Sequence, residues 1–161
     1  MGPFRFAPGM ECRHAVASLL HAVNGEIDIN GKRYAFREGA GYVEGDRGVS
    51  FPKRYVWTHA DWDGNSLMLS VADVPFHGLS FVGCVGFLYR NGRETRIATY
   101  RGARVVEVND DSVLIRQGKL TLAVEAGPRR PLALLAPRMG GMTRTIHESA
   151  SCPVRYRCAI G

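Results

Sequence analysis

Three polar groups, Tyr42, Glu44 and Asp46, alternate with other residues along one short stretch of the sequence. In an extended chain, side chains two positions apart point to the same face, so these three groups would face one side together. Paired carboxyl groups can acquire separated pKa values, and one then serves as an acid and the other as a base. The same carboxylates fit a surface loop that pairs them with Arg47 and other nearby basic residues, and the stretch by itself favours that loop.

A second candidate surface follows directly along the chain. If residues 54–60 form a strand, Tyr55, Trp57 and His59 project to one face, whereas Arg54 lies on the other. Two large aromatic rings beside a titratable imidazole suit the inner wall of a β-barrel. The alternative is an ordinary half-buried strand whose indole fills the core, and the three residues alone favour this alternative.

Two further titratable residues lie near the ends of the chain. His14 shares a strand face with mainly apolar residues, a setting in which a histidine is more often structural than catalytic. Glu148 follows His147, so alternation sends the two side chains to opposite faces. Arg144 would share the face of Glu148 and favour its ionised form. Each residue is therefore a candidate that needs a partner from elsewhere in the chain.

Motifs for metals and cofactors are missing from the sequence. The four cysteines form no Cys-x-x-Cys pair and no two histidines have the spacing of a helical zinc pair, so we predict no metal site. The glycine-rich "GAGYVEG" imitates a dinucleotide-binding loop. However, it carries Glu44, whose charge would repel a pyrophosphate, and Pro52 excludes the helix that must follow such a loop. We predict no cofactor. The cysteines Cys152 and Cys158 flank a strand that holds them roughly 20 Å apart, so we expect free thiols in a reducing compartment.

The composition is that of a soluble globular protein. The chain has 161 residues, of which 45% are hydrophobic and 22% charged, enough for one domain over 1–161. Its net charge of +6 comes from scattered arginines, so we predict no nucleic-acid binding. No apolar run approaches the roughly 20 residues of a transmembrane helix, and the N-terminus has no secretory signal pattern. These features predict a cytoplasmic protein.

Apolar residues recur at period two, and turn dipeptides divide the chain into short strands. Asn30-Gly31, Asp63-Gly64 and Asn91-Gly92 predict tight hairpins. This rhythm predicts an all-β fold with little or no helix, in which an antiparallel sheet curls into a barrel or sandwich. Prolines interrupt "GPRRPLALLAPRMGGM", for which we predict an apolar loop against the sheet, followed by strands near 143–149 and 154–160.

The stretch "GYVEGDRGVSFPKRYVW" resembles the Gly-Tyr-hydrophobic-Glu, Gly-x-Ser-Phe-Pro and hydrophobic-Trp segments of the tocopherol cyclase-like family. The segments "MECRHAV", "RIATYRGARV" and "APRMGGMTRTIHES" are also similar to that family and follow in the same order, so the resemblance covers nearly the whole chain. It implies a lipocalin-like curved sheet or barrel built as two related halves. This chain looks like the second half, apparently truncated, and it resembles the bacterial members of the family.

The resemblance also implies an activity, because plant members close the chromanol ring of vitamin E. We therefore expect a cofactor-independent isomerase that protonates and cyclises a prenylated quinol or a related hydrophobic molecule. The expected roles are an acid (Glu44 or Asp46), aromatic groups around the carbocation (Tyr42, Tyr55 and Trp57), a base for the phenolic proton (His59 or His14), an orienting cation (Arg54) and a further substrate contact (Glu148). The alternative is a non-catalytic, lipocalin-like carrier of a lipid or prenyl compound. A homodimer through an exposed sheet edge is also expected.

Overall fold

The computed structural model describes residues 2–6, 8–76 and 79–161, and most of them lie in strands. Two short 3-10 turns, Gly2–Phe6 and Thr99–Arg101, are the helical elements of these residues. The all-β prediction is therefore confirmed. The strands are β1 (Cys12–Ile29), β2 (Lys32–Gly48), β3 (Tyr55–Trp62), β4 (Asn65–Phe76), β5 (Leu79–Arg90), β6 (Arg93–Ala98), β7 (Arg104–Val108), β8 (Ser112–Gln117), β9 (Leu120–Ala126), β10 (Leu132–Arg138), β11 (Gly141–Glu148) and β12 (Val154–Ile160).

The three predicted hairpin turns lie where the dipeptides stand. Asn30 and Gly31 have φ values of 53° and 78°, and the Asp63-Gly64 and Asn91-Gly92 pairs are also positive at both positions. Two successive positive φ angles are what the type I′ turn requires, and Asn, Asp and Gly tolerate them best. The turns join β1 to β2, β3 to β4 and β5 to β6.

The strands form four antiparallel sheets. Two sheets have four strands each, in the orders β3-β4-β5-β6 and β12-β9-β8-β7, and two are ribbons, β1-β2 and β10-β11. Among the strands that the structure describes, no hydrogen-bonded ring closes. The antiparallel part of the fold prediction is thus confirmed, whereas the barrel is replaced by separate packed layers.

The hydrophobic core lies between the two four-stranded sheets. Leu67, Leu69 and Val71 of β4 are almost fully buried, as are Ile115 of β8 and Leu122 of β9. These residues belong to one cluster, and alternate residues of β4 therefore face the second four-stranded sheet. The opposite face of β3 and β4 does not contact the second four-stranded sheet.

The β1-β2 ribbon packs over that opposite face. Its two strands are paired from Cys12 and Gly48 to the turn, with three register shifts that bend the ribbon. The half near Cys12 contacts β4 and carries His14, Glu44 and Asp46, whereas the half near the turn is exposed on both faces. The predicted site residues of β2 and β3 are thus brought face to face by this layer.

The predicted loop over 127–142 is wrong for residues 132–138 and 141–142, which lie in strands. Residues 132–138 form β10, which pairs with β11 from Leu132–Glu148 to Arg138–Gly141. Pro131 stands just before β10, and Pro137 lies at a register shift. In a two-stranded ribbon each strand has a free side, so a proline without an N–H group is tolerated there. The strands predicted near 143–149 and 154–160 are confirmed as β11 and β12.

The four cysteines are free thiols, with Cys84 buried and the other three partly buried. In the ranges described, no helix has both the length and the apolar character needed to cross a bilayer.

Candidate functional site

A cavity of about 390 Å³ lies between the β1-β2 ribbon and the face of β3, β4 and β5 that points away from the core. Most of its lining is apolar. Six of the predicted site residues line it: His14, Glu44, Asp46, Tyr55, Trp57 and Glu148. Trp57, one of the lining residues, is 44% exposed, so an apolar molecule bound there would contact a large aromatic surface.

His14 lies between two carboxylates on the cavity wall. Its Nδ1 is 3.0 Å from Oδ1 of Asp46, and its Nε2 is 3.3 Å from Oε2 of Glu44. The strand register explains the arrangement, because His14 is opposite Asp46 and the neighbouring pair joins Val16 to Glu44. The imidazole is well covered, with 12% of its side chain exposed. The sequence pattern favoured a structural role for His14, but in the structure His14 contacts two carboxylates.

The hydrogen bond from His14 is the main reason why the pKa of Asp46 is lowered, and partial burial opposes this effect. The thiol of Cys12 donates a longer hydrogen bond to the same Asp46 oxygen, at 3.5 Å. Burial, with help from Asp46, raises the pKa of Cys12 to about 12, so this thiol stays protonated. Asp46 therefore remains an anion that two donors hold in place. Cys12 was missed by the sequence analysis, which weighed the cysteines only for metals and disulfides.

Glu44 connects the ribbon to the sheet below it. Its Oε2 accepts hydrogen bonds from the Tyr42 hydroxyl at 2.6 Å and from the Trp57 indole Nε1 at 3.0 Å. Burial and the bond to Glu44 raise the pKa of Tyr42, so Tyr42 is a neutral donor. The predicted alternation along β2 thus places Tyr42 and Glu44 on one face, as the sequence indicated.

The opposite wall of the cavity holds a hydrogen-bonded pair of a tyrosine and a carboxylate. The Tyr55 hydroxyl donates a hydrogen bond of 2.5 Å to Oε1 of Glu148, which links β3 to β11. Burial is the largest cause of the raised pKa of Tyr55, and Glu148 adds to it. These two residues are 93 positions apart in sequence, so no local pattern connects them.

Arg144 holds the loop that forms one end of the cavity. Its guanidinium donates hydrogen bonds to the backbone carbonyls of Phe51 and Pro52, at 3.3 and 2.8 Å, and to that of Lys53 at 2.8 Å. Phe51 and Pro52 line the cavity, and the Phe51 ring meets Tyr55 edge to face at 6.0 Å. From the sequence, Arg144 is predicted only as a charge near Glu148, because a contact between β11 and this loop has no local signal.

His59 and Tyr42 lie beside the cavity and do not line it. Their rings stack at 3.8 Å with an angle of 22°, and the His59 ring is 6.5 Å from that of Trp57. The Nε2 of His59 is 3.3 Å from the hydroxyl of the buried Ser66. Burial lowers the pKa of His59, which favours a neutral ring. The predicted shared face of Tyr55, Trp57 and His59 is present, but His59 lies next to the cavity, stacked on Tyr42.

Arg54 lies outside the cavity. Its side chain is 85% exposed and pairs with Asp73 at 2.9 Å. Because it precedes Tyr55, strand alternation directs it away from Tyr55 and Trp57. The expected contact between Arg54 and a quinol oxygen therefore has no geometric support here. Within the described ranges, no group of three or more His, Cys, Asp and Glu side chains is arranged to hold a metal ion.

Comparison with protein families gives one informative result for this site. A family model described as tocopherol cyclase-like matches residues 6–76. No curated protein and no solved structure matches the chain. The matched range contains β1 to β4 and all of the cavity residues discussed above except Glu148 and its neighbours on β11.

The family match covers only part of the resemblance that the motifs indicated. For "RIATYRGARV" and "APRMGGMTRTIHES", which lie beyond residue 76, the similarity stays a prediction. The correspondence with the second half of a two-half protein is not confirmed, because the matched residues lie in the N-terminal part of this chain. Residues 6–76, a little under half of the chain, are similar to the tocopherol cyclase-like family.

Proposed function

We propose that the chain is a cyclase-like enzyme that closes a ring in a prenylated quinol, or in a related hydrophobic molecule, after protonating its alkene. The observation that carries the proposal is the His14 imidazole held between Asp46 and Glu44 on the wall of a mainly apolar cavity. Aromatic walls alone would serve any apolar ligand. Two carboxylates on one imidazole add the means to move a proton.

The reaction has three requirements. A proton must reach the less substituted carbon of a trisubstituted alkene, the resulting tertiary carbocation must be sheltered, and the phenol oxygen must attack it. The C–H and C–O bonds form as the alkene π bond and the phenolic O–H bond break, so the product is an isomer of the substrate. No redox partner is needed for this balance.

Glu44 is the better candidate for the acid. Asp46 is held as an anion, since its pKa is lowered by the hydrogen bond from His14. Glu44 lines the apolar cavity beside Trp57, so its carboxyl group lies where the alkene of a bound ligand would be. The sequence left Glu44 and Asp46 open as alternatives, and the geometry supports the first.

His14 is the better candidate for the base. Asp46 accepts the hydrogen bond from Nδ1, which leaves Nε2 directed at Glu44 and able to take the phenolic proton. Passing that proton across 3.3 Å to Glu44 restores the acid for the next turnover. His59, the other base expected from the sequence, contacts Ser66 and Tyr42 instead.

Trp57 and Tyr55 are placed to stabilise the carbocation. Both rings line the cavity, and an aromatic face stabilises a nearby cation by about 0.5–2 kcal/mol, depending on desolvation. A bound ligand would also displace water from the cavity, which protects the cation from hydration.

Heavy water provides the test of this proposal. The purified full chain is incubated in D₂O with a hydroquinone that carries a C20 prenyl tail, and the products are analysed by mass spectrometry and NMR. We expect a ring-closed isomer with one non-exchangeable deuterium on the carbon next to the C–O carbon. Glu44→Gln should lower the rate by about 10²–10⁴-fold, because an amide cannot supply the proton. Glu26→Gln, on the exposed part of the ribbon, is the matched control and should retain the rate.

A carrier of a lipid or prenyl compound is the second candidate, and the mainly apolar lining of the cavity favours it. It would bind the same quinol and release it unchanged. Recovery of unaltered ligand from wild-type protein, with no deuterated product, would therefore favour the carrier and contradict the enzyme.

We also propose a homodimer through an exposed sheet edge. A cytoplasmic location is proposed as well, and it rests on the free thiols.

A further inference from the structure

We propose that a second groove, along the free edge of β3, binds the prenyl tail of the ligand whose ring end occupies the first cavity. This inference rests on the proposed function, because it needs a ligand with a long apolar tail. The groove has a volume of about 1080 Å³. It shares Tyr55, Trp57 and Glu148 with the first cavity, so the two spaces meet at the same wall.

The size of the first cavity is one reason for a second subsite. At about 390 Å³ it lies near the lower end of the roughly 300–1,000 Å³ that small-molecule pockets span. An aromatic head and the reacting alkene are small, but a tail of several isoprene units extends well beyond them. The tail must leave the cavity, and the adjoining groove is an open path for it.

The walls of the groove suit a hydrocarbon chain. Val113 and Val124, both nearly buried, lie at its base, and Leu132 and Leu134 of β10 expose their side chains along it. Burying such apolar surface against an apolar tail is favourable in proportion to the area removed from water. The groove thus offers hydrophobic contact with little demand for a particular shape.

Two of the charged groups that line the groove form an ion pair with each other. Asp111, in the turn before β8, forms an ion pair with Arg129, in the segment before β10. Because these two charges neutralise each other, neither is left to attract a charged ligand. A charged or phosphorylated tail is therefore not the expected occupant.

The Tyr55–Glu148 hydrogen bond marks the border between the two spaces. It spans from β3 to β11, and both of its side chains line both spaces. A ligand that occupies both spaces would pass this pair with its ring end beside Glu44 and its tail beside Leu134. Selectivity for tail length would then arise in the groove, separately from the chemistry in the cavity.

The test compares two hydroquinones, one with a C5 and one with a C20 prenyl tail, by equilibrium dialysis against the full chain. Leu134→Trp fills the groove, and Leu132→Trp is a second variant at another exposed groove position. Leu135→Trp is the matched control, since Leu135 is 65% exposed on the same strand and does not line the groove. Circular dichroism verifies that each variant is folded.

We expect both groove variants to bind the C20 ligand at least about tenfold more weakly and the C5 ligand unchanged, with Leu135→Trp equal to wild type for both. Unchanged C20 binding in folded groove variants would overturn the tail site while the C5 result leaves the proposed function intact. A shift from dimer to monomer in the groove variants, with C20 binding retained, would show that a second copy occupies the groove and would also overturn it. If wild type binds neither quinol, the proposed function fails first and this inference with it.

Discussion

At the scale of single residues, His14 and its two carboxylates explain why this surface is chemically unusual. An imidazole that donates a hydrogen bond to a carboxylate has its tautomer fixed, and its other nitrogen is then left to accept a proton. Asp46 supplies the fixed side, since Cys12 also donates to it. Glu44 lies on the other side of the ring, at the cavity wall, and accepts hydrogen bonds from Tyr42 and Trp57.

The lowered pKa of Asp46 predicts how stability depends on pH. Because the pKa in the folded state lies below the ordinary value of 3.8, ionised Asp46 stabilises the fold above about pH 3.8. This contribution is lost as pH falls from 3.8 through the folded-state pKa. We expect Asp46→Asn to remove it, so that the variant loses less stability than wild type between pH 6 and pH 3.

The size of this effect is about 1 kcal/mol or less, because the side chain of Asp46 is 35% exposed and therefore partly screened. Urea unfolding of wild type and Asp46→Asn at both pH values measures it. Equal losses in the two proteins would contradict the role given to the His14 hydrogen bond.

At the scale of elements, the end of β2 depends on one very close approach. A Cβ atom on Gly48 would lie 1.9 Å from the backbone oxygen of Glu11, whereas a Cβ atom on Gly45 would meet nothing within 4 Å. The Glu11 oxygen also accepts hydrogen bonds from Val49 and Ser50, so it cannot move away freely. Gly48 therefore fixes where β2 leaves the ribbon and where the Ser-Phe-Pro segment begins.

We expect Gly48→Ala to lower the free energy of unfolding by about 1–3 kcal/mol, the usual range for an overpacked contact. Gly45→Ala, on the same strand, is the control and should stay within about 0.5 kcal/mol of wild type. Denaturant unfolding of the three proteins measures both changes. A Gly48→Ala variant as stable as the Gly45→Ala variant would show that this close approach is not maintained in solution.

At the scale of the whole molecule, the separate sheets leave strand edges that a second copy can pair with. In the described part of the chain, β12 pairs with β9 alone, so its other edge is open. Open edges favour pairing with another chain. If the proposed homodimer forms, light scattering during size-exclusion chromatography should give twice the mass of the chain at all concentrations tested. The mass of a single chain at every concentration would contradict the proposed homodimer.

Much of the local structure could be predicted because its causes are local. Asn-Gly and Asp-Gly pairs tolerate positive φ, and alternation needs only neighbouring residues, so three hairpins and the shared face of Tyr55, Trp57 and His59 followed directly. The loop wrongly predicted for β10 shows the limit. Whether Pro137 breaks a strand depends on whether its N–H side has a partner, and that is decided by neighbouring strands.

By itself, the sequence determined most of the strands, three hairpin turns and which side chains of a strand share a face, since each is set within a few residues. The tertiary structure alone decided which faces meet. It brought Glu148 to Tyr55, placed His14 between Glu44 and Asp46, and left Arg54 at the surface. The physical reason is that sheet packing and register shifts set distances between residues far apart in the chain, and these depend on the sum of many contacts rather than on any short pattern.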